Sequence, residues 1–234
     1  MLPLQLDPLC RGATRQSQPG LPMPRMYTWT KRLSFATIAL SIASPALAHH
    51  VMGGATPVTF GQGFLSGLAH PVIGLDHLAV VVAVGCLAAA HRAGAGLIGG
   101  FVLAMILGVA AHVRGVNLVA NEILLAGAVV VLGVAIQFRA MLGTAVMIVL
   151  FIAAGLLSGY ALGESITGAQ PAPLSAYFVG LAVVQLALTL VVMWLAQRFA
   201  AQATAGDAMN VRLVGLAVMG VGLTVLVMQT VLGT

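Results

Sequence analysis

The stretch His70-Pro71-Val72-Ile73-Gly74-Leu75-Asp76-His77 places two imidazoles and a carboxylate within eight residues and leads directly into an apolar run, Leu78 to Ala90. Ligand-type side chains at the head of a segment too apolar for water point to metal handling in a membrane. On a helix starting at Pro71, residues 70 and 77 are seven positions apart and return to the same face, with Asp76 offset by one position. Neutral imidazole nitrogen with carboxylate oxygen suits nickel, cobalt, zinc or copper, and suits magnesium or calcium poorly. The carboxylate has a second use, since at a helix start it would also serve the N-terminal amides and dipole.

Composition supports the membrane half of this reading independently. Of the 234 residues, 60% are hydrophobic and 6% charged, and the mean hydropathy is +1.07, outside the range of a soluble domain. The formal charge of +5 carries little information about partners, because Arg11, Arg15, Arg25, Lys31 and Arg32 all precede residue 33. From His49 onward five arginines face Asp76, Glu122, Glu164 and Asp207, leaving about +1, so nucleic-acid binding is not expected.

Lys31-Arg32, the apolar Leu33 to Ala43, and Ser44-Pro45-Ala46-Leu47-Ala48 read as the charged, apolar and cleavage regions of a signal peptide. Residues 1–48 are therefore expected to be an N-terminal extension and signal peptide, with Met26 an alternative start. Residues 49–234 form a single membrane domain beginning at His49. Cys86 is then a lone thiol with no disulfide partner, read as core packing.

Matching apolar stretches to the ~20 residues that span a bilayer predicts an all-α integral membrane bundle of six transmembrane helices, near 74–91, 95–112, 117–137, 141–162, 174–197 and 212–232. Pro57 to Ala69 is too short to cross and is expected to be a re-entrant or interfacial segment that delivers His70 to the mouth of a pathway. With an extracytoplasmic mature N-terminus, Arg92, Arg139, Arg198 and Arg212 fall on the cytoplasmic side and Arg114 alone falls outside, in keeping with the positive-inside rule. The spacings Gly96-x3-Gly100 and Gly159-x3-Gly163 are read as close helix packing.

Charged residues are costly within a bilayer, about 2.5–3.5 kcal/mol each at its centre on the lenient scale, so those present are informative. Asp76, Glu122 and Glu164 are expected at one extracytoplasmic mouth, where carboxylates concentrate cations and exchange protons as metal binds. Ordinary interfacial solvation is the alternative for both glutamates. His49 and His50 would become the first residues after cleavage and would capture a cation there, or would form a solvated terminus. His112 ends the second expected helix and faces either water or the entrance. His91, beside Arg92, is read as interfacial.

The setting of the first motif resembles the hydrogenase/urease accessory membrane proteins of the HupE/UreJ family. Gly63-Phe64-Leu65-Ser66-Gly67-Leu68-Ala69-His70-Pro71-Val72-Ile73-Gly74-Leu75-Asp76-His77, followed by Ala83-Val84-Gly85, is similar to the family's first helix. Gly99-Gly100-Phe101 through Met105 and Gly108 is similar to its second, and Asn121-Glu122 matches a recurrent glutamate. The resemblance runs from about residue 46 to the C-terminus. It implies a six-helix permease for nickel, or for cobalt, that supplies metalloenzyme assembly in the inner membrane of a bacterium, with metalloenzyme accessory proteins as partners and no permanently bound cofactor.

The second family motif, HG-x-A-HG-x-E, reads here Ser158-Gly159-Tyr160-Ala161-Leu162-Gly163-Glu164. Its glycines and glutamate are present, and Ser158 and Leu162 replace both histidines. Thr189 also stands where relatives often have histidine. The candidate metal site is therefore His70, Asp76 and His77, with Glu164, Glu122, His49, His50 and His112 as further ligands or proton relays. A non-transporting accessory or metal-sensing subunit is the alternative. No nucleophile–base pair or phosphate-binding loop stands out, and an enzyme is not expected.

Overall fold

Thr59 starts the first helix through a reciprocal capping box: its side chain accepts from the Gln62 amide, and the Gln62 side chain accepts from the Thr59 amide at 3.2 Å. The helix that follows, α1 (Phe60–Ile73), occupies the segment expected to be a short re-entrant stretch. The computed structural model describes residues 56–201 and 208–232. The expected signal peptide, the start at Met26, and His49 and His50 lie outside the described residues.

Helix α1 stops at Gly74, and α2 (Leu75–Ala89) leaves at 78° to it. Pro71 within α1 has no amide to donate to the Gly67 carbonyl, and its ring crowds the preceding turn. Gly74 then adopts an extended conformation, φ −76° and ψ 117°, which ends one helix and starts the next. The remaining helices are α3 (Gly94–Val113), α4 (Asn121–Gln137), α5 (Thr144–Gly163), α6 (Pro171–Ala201) and α7 (Ala208–Val227). A 3₁₀ turn, Glu164–Ile166, follows α5, and a π-helical turn, Met228–Leu232, follows α7.

Helices occur at all six expected places, but four are long and apolar enough to cross a membrane: α3, α5 with its 3₁₀ turn, α6, and α7 with its π turn. The bent pair α1–α2 makes a fifth when counted as one broken span. Helix α2 alone has 15 residues and α4 has 17, about 22 and 25 Å against a hydrocarbon core of about 30 Å. The shortening of α4 has two causes, one local and one distant in sequence. Gly115, at φ +80°, turns the chain after α3, and the Tyr160 hydroxyl accepts from the Leu118 amide and donates to the Val116 carbonyl. Residues expected to open the helix at 117 are thereby held in the connection.

Glycines weld the bundle into three close pairs. Gly63 and Gly67 of α1 face the backbone of Pro173, Tyr177 and Leu181, and Gly180 faces Phe64 and Leu68, so α1 and α6 run parallel. Gly155 and Gly159 of α5 face Phe101 and Met105, and Gly108 faces Leu156 and Tyr160, so α3 and α5 are also parallel. Gly133 of α4 faces Gly215 and Met219, and Gly222 faces Ala126 and Val130, an antiparallel pair. At these positions a Cβ would meet backbone, which is why small residues are required. Of the two expected glycine spacings, Gly159 and Gly163 both lie close against α3, Gly159 on the Met105 backbone and Gly163 on the His112 side chain. Gly96 faces open space and Gly100 meets only the tip of Ile152 at 3.9 Å, so that spacing does not bring backbones together.

The core joins Val80, Val84 and Leu87 of α2 to Ile98 and Phe101 of α3, Val129 and Leu132 of α4, and Phe151 of α5. Leu103, Leu107, Val149, Val183 and Trp194 point outward, an apolar exterior for lipid. One end of the bundle gathers the α2–α3 and α4–α5 connections with the start of α7. There His91 Nε2 meets Thr144 Oγ1 at 3.1 Å and the Gln137 amide donates to the Arg212 carbonyl. The opposite end gathers Val116, Tyr160, Glu122 and Gln229.

Candidate metal site and end cleft

Two polar regions emerge, one inside the bundle and one at its end. The inner one is the helix break. His70 closes the last turn of α1 and His77 opens α2, and they are 6% and 5% exposed. Their ring centroids lie 6.1 Å apart with planes tilted by 39°. An ion bonded to both rings at ~2.1 Å would lie roughly 3.2 Å from each centroid, so this separation falls within the span that two-ring coordination allows. His77 Nδ1 is 3.8 Å from Asp76 Oδ2, beyond hydrogen-bond reach.

The break itself positions these groups. A Cβ on residue 74 would meet Asp76 Oδ1 at 3.0 Å and His77 Cδ2 at 3.2 Å, so glycine lets both side chains fold back over the interruption. Gly74, not Asp76, is the N-cap of α2, and Asp76 lies in the first turn of that helix, where a carboxylate favours the helix dipole. Among the described residues, no group of three or more His, Cys, Asp or Glu side chains is arranged to hold a metal ion. What the fold brings together is a buried imidazole pair with one carboxylate beside it.

The sequence reading places this motif at the mouth of the first span. In the fold it lies inside the bundle, because Phe60 to His70 is about 15 Å of helix docked along α6 from Pro173 onward. Helix α6 continues past the break, with its Thr189 carbonyl against Gly85 of α2. Interrupted helices buried against neighbours are the arrangement in which polar backbone and side chains are tolerated at membrane depth.

The end cleft, about 330 Å³ in volume, collects His112 from α3, Asn121 and Glu122 from α4, Tyr160 from α5, Glu164 from the 3₁₀ turn and Gln229 from the π turn. Three of the expected site residues, His112, Glu122 and Glu164, therefore share one surface. Asp76 does not line it, which corrects the grouping of three carboxylates at one mouth: α1 separates Asp76 from that end. The ring of His112 packs on Tyr160 with centroids 4.5 Å apart, and the Gln229 amide donates to the Glu122 carboxylate. Ala120 at the cleft rim has φ +57°, a left-handed conformation uncommon for a residue with a Cβ.

The positions that depart from the family motif are interior. Ser158, Leu162 and Thr189 are all fully buried. Leu162 packs with Met105, Val109 and Tyr177, and its carbonyl accepts from the Tyr177 hydroxyl at 2.8 Å. Thr189 Oγ1 donates to the Gln185 carbonyl at 2.6 Å, while the Ser158 hydroxyl has no hydrogen-bond partner.

Sequence reasoning missed Gln185, Tyr160 and Gln229. Gln185 and Gln229 stand as amides in otherwise apolar runs, and a search for neutral polar residues, extended beyond histidines and charges, would have found them. Gln185 is fully buried, and neither polar atom of its side chain has a partner. Such a group costs about 1–3 kcal/mol on mutational scales.

The chain matches the HupE / UreJ protein family over residues 37–225. No curated protein matches it, and no solved structure does. The match spans the broken helix with its His70–His77 pair, the glycine-welded helix pairs and the end cleft apart from Gln229; it begins before residue 46 and stops short of the C-terminus. This multi-pass membrane protein belongs to the HupE/UreJ family.

Proposed function

We infer that the protein carries a divalent transition-metal cation, nickel or cobalt, across the cytoplasmic membrane of a bacterium for metalloenzyme maturation. The observation that carries this reading is the buried His70–His77 pair, with Asp76 beside it, at a helix interruption inside the bundle. Imidazole and carboxylate match the borderline character of these ions. A site with few protein donors releases its ion readily, as conduction requires.

In this mechanism the cation first meets the end cleft, where Glu122 and Glu164 concentrate positive charge. It sheds water and passes to His70, Asp76 and His77, then moves on toward the arginine-bearing end. The positive-inside rule assigns that end to the cytoplasm and the cleft to the outside. Six crossings fit this orientation, with the bent pair as the first and the short α4 as the third: α1 with α6 and α3 with α5 run parallel, while α4 and α7 run antiparallel.

Uptake of Ni²⁺ and Co²⁺ into cells lacking their own permeases tests the reading, with wild type compared against His77→Ala and Asp76→Ala at matched membrane abundance. Wild type is expected to accumulate one of the ions and both variants to fail. A wild type that accumulates neither ion rejects transport. The second reading, a subunit that binds metal or assists accessory proteins without translocating the ion, is favoured by Ser158 and Leu162 in place of histidines. Under it the purified protein binds Ni²⁺ while uptake stays at background.

A further inference from the structure

Gln185 is a buried polar group that the mechanism above leaves unused. Neither its Nε2 nor its Oε1 has a hydrogen-bond partner, and the residue is fully buried. A primary amide offers two donors and an acceptor oxygen, and buried polar groups left without protein partners mark the places of water, ions or ligands.

Its position on α6 says which site it serves. Leu181, four residues earlier, packs its backbone nitrogen against Gly67 of α1, and Thr189, four residues later, packs its carbonyl against Gly85 of α2. Residues 181, 185 and 189 share one face of the helix by four-residue steps, and all three are fully buried. Gln185 therefore lies on the stripe of α6 that follows α1 and then α2, in the interval where the chain breaks at Gly74 between His70 and His77.

We propose that Gln185 is a coordinating residue for the cargo cation at the helix break, its Oε1 adding a neutral oxygen to the donors of His70, Asp76 and His77, directly or through one water of hydration. This rests on the reading that a divalent transition-metal ion occupies the break. A neutral oxygen adds a donor without adding charge, so the site carries a single carboxylate against a dication. Amide oxygen is also a poorer partner for nickel than a third imidazole, which keeps the ion exchangeable.

The test uses the full-length protein purified in detergent, titrated calorimetrically with nickel chloride, with thermal unfolding measured with and without the metal. Gln185→Leu is expected to weaken Ni²⁺ binding at least tenfold. The same change is expected to raise the unfolding temperature of the metal-free protein, because an apolar side chain replaces a buried amide with no partner. Gln185→Glu keeps an oxygen at the same reach and is expected to bind Ni²⁺ at least as tightly as wild type at pH 8.

Unchanged Ni²⁺ affinity in Gln185→Leu overturns the assignment, as does an equal loss in Gln185→Glu, which would mark a packing role. Where Gln185→Leu does not accumulate in folded form, Gln185→Met, matched in length, is judged by the same outcomes. Wild type that binds neither Ni²⁺ nor Co²⁺ overturns the metal reading together with this one. Wild type that binds while Gln185→Leu binds equally well overturns only the role of Gln185.

Discussion

The helix break and the end cleft both collect histidine and carboxylate, yet they are built in opposite ways. The break draws its ligand-type residues from eight consecutive positions, 70–77, and buries both imidazoles. The cleft draws His112, Glu122, Glu164 and Gln229 from four separate elements and stays open to the outside of the bundle. A site whose motif lies in one segment has most of its donors in place from the chain itself and needs its neighbours chiefly to bury it. A site made from several helix ends exists only when all of them are in place.

The largest effect is expected where the break depends on its neighbour. Gly67 of α1 faces the Tyr177 carbonyl and the Leu181 nitrogen of α6, so Gly67→Leu forces the two backbones apart. Overpacking of that kind costs about 3 kcal/mol or more, and the fraction of monodisperse protein recovered in detergent should fall sharply. If recovery equals wild type, α1 does not need this docking and the burial of His70 has another cause.

Within the break, His77→Ala removes one of two imidazoles and is expected to lower metal uptake about 100-fold, equivalent to about 2.7 kcal/mol. Glu164→Gln in the cleft should lower it by less than about tenfold, because an exposed charge acts mainly on encounter. Equal losses would erase the distinction between a binding region and a collecting region.

The cleft responds to a smaller change. Tyr160→Phe deletes the hydroxyl that bonds both Val116 and Leu118, and is expected to cost about 1–3 kcal/mol and to speed hydrogen exchange at residues 116–120. Exchange there as slow as in wild type would show that the connection is held by packing. The smallest expected effect is a gain. Ala120→Gly relieves the left-handed strain at the rim, stabilising by about 1 kcal/mol, visible as a higher unfolding temperature with uptake unchanged.

Much of the fold was legible in the residues, for a physical reason. A membrane span is specified by apolar length, which is local, so helices appear at each expected stretch. Errors arose where a distant group intervened. The Tyr160 hydroxyl delays the start of α4. By contrast α1, a capped 14-residue helix, forms with α2 the bent pair of a broken span or a re-entrant loop, in keeping with the re-entrant or interfacial segment expected there, and Gly63 and Gly67 seat it against α6.

The candidate site was legible in part. His70, Asp76 and His77 announce themselves through ligand chemistry in an apolar chain, and Glu122, Glu164 and His112 through charge or imidazole at helix ends. That His112, Glu122 and Glu164 share a cleft was an expectation only for the two glutamates, and Asp76, grouped with them by nominal topology, lies elsewhere. Gln185 escaped because an uncharged amide costs less to bury than a charge and so stands out less against a hydrophobic run.

By itself, then, the sequence determined that this chain enters a membrane as helices, that it carries a histidine–aspartate motif suited to a transition metal, and which glycines and charges punctuate it. These follow from hydropathy, ligand chemistry and residue size, all local properties. Tertiary structure alone decided that the motif sits at a bend inside the bundle, that helix ends from across the chain converge on one cleft, and that Gln185 is buried at the level of the break. Depth and convergence depend on which helix backbones approach closest, and that is settled by glycine faces meeting across the bundle.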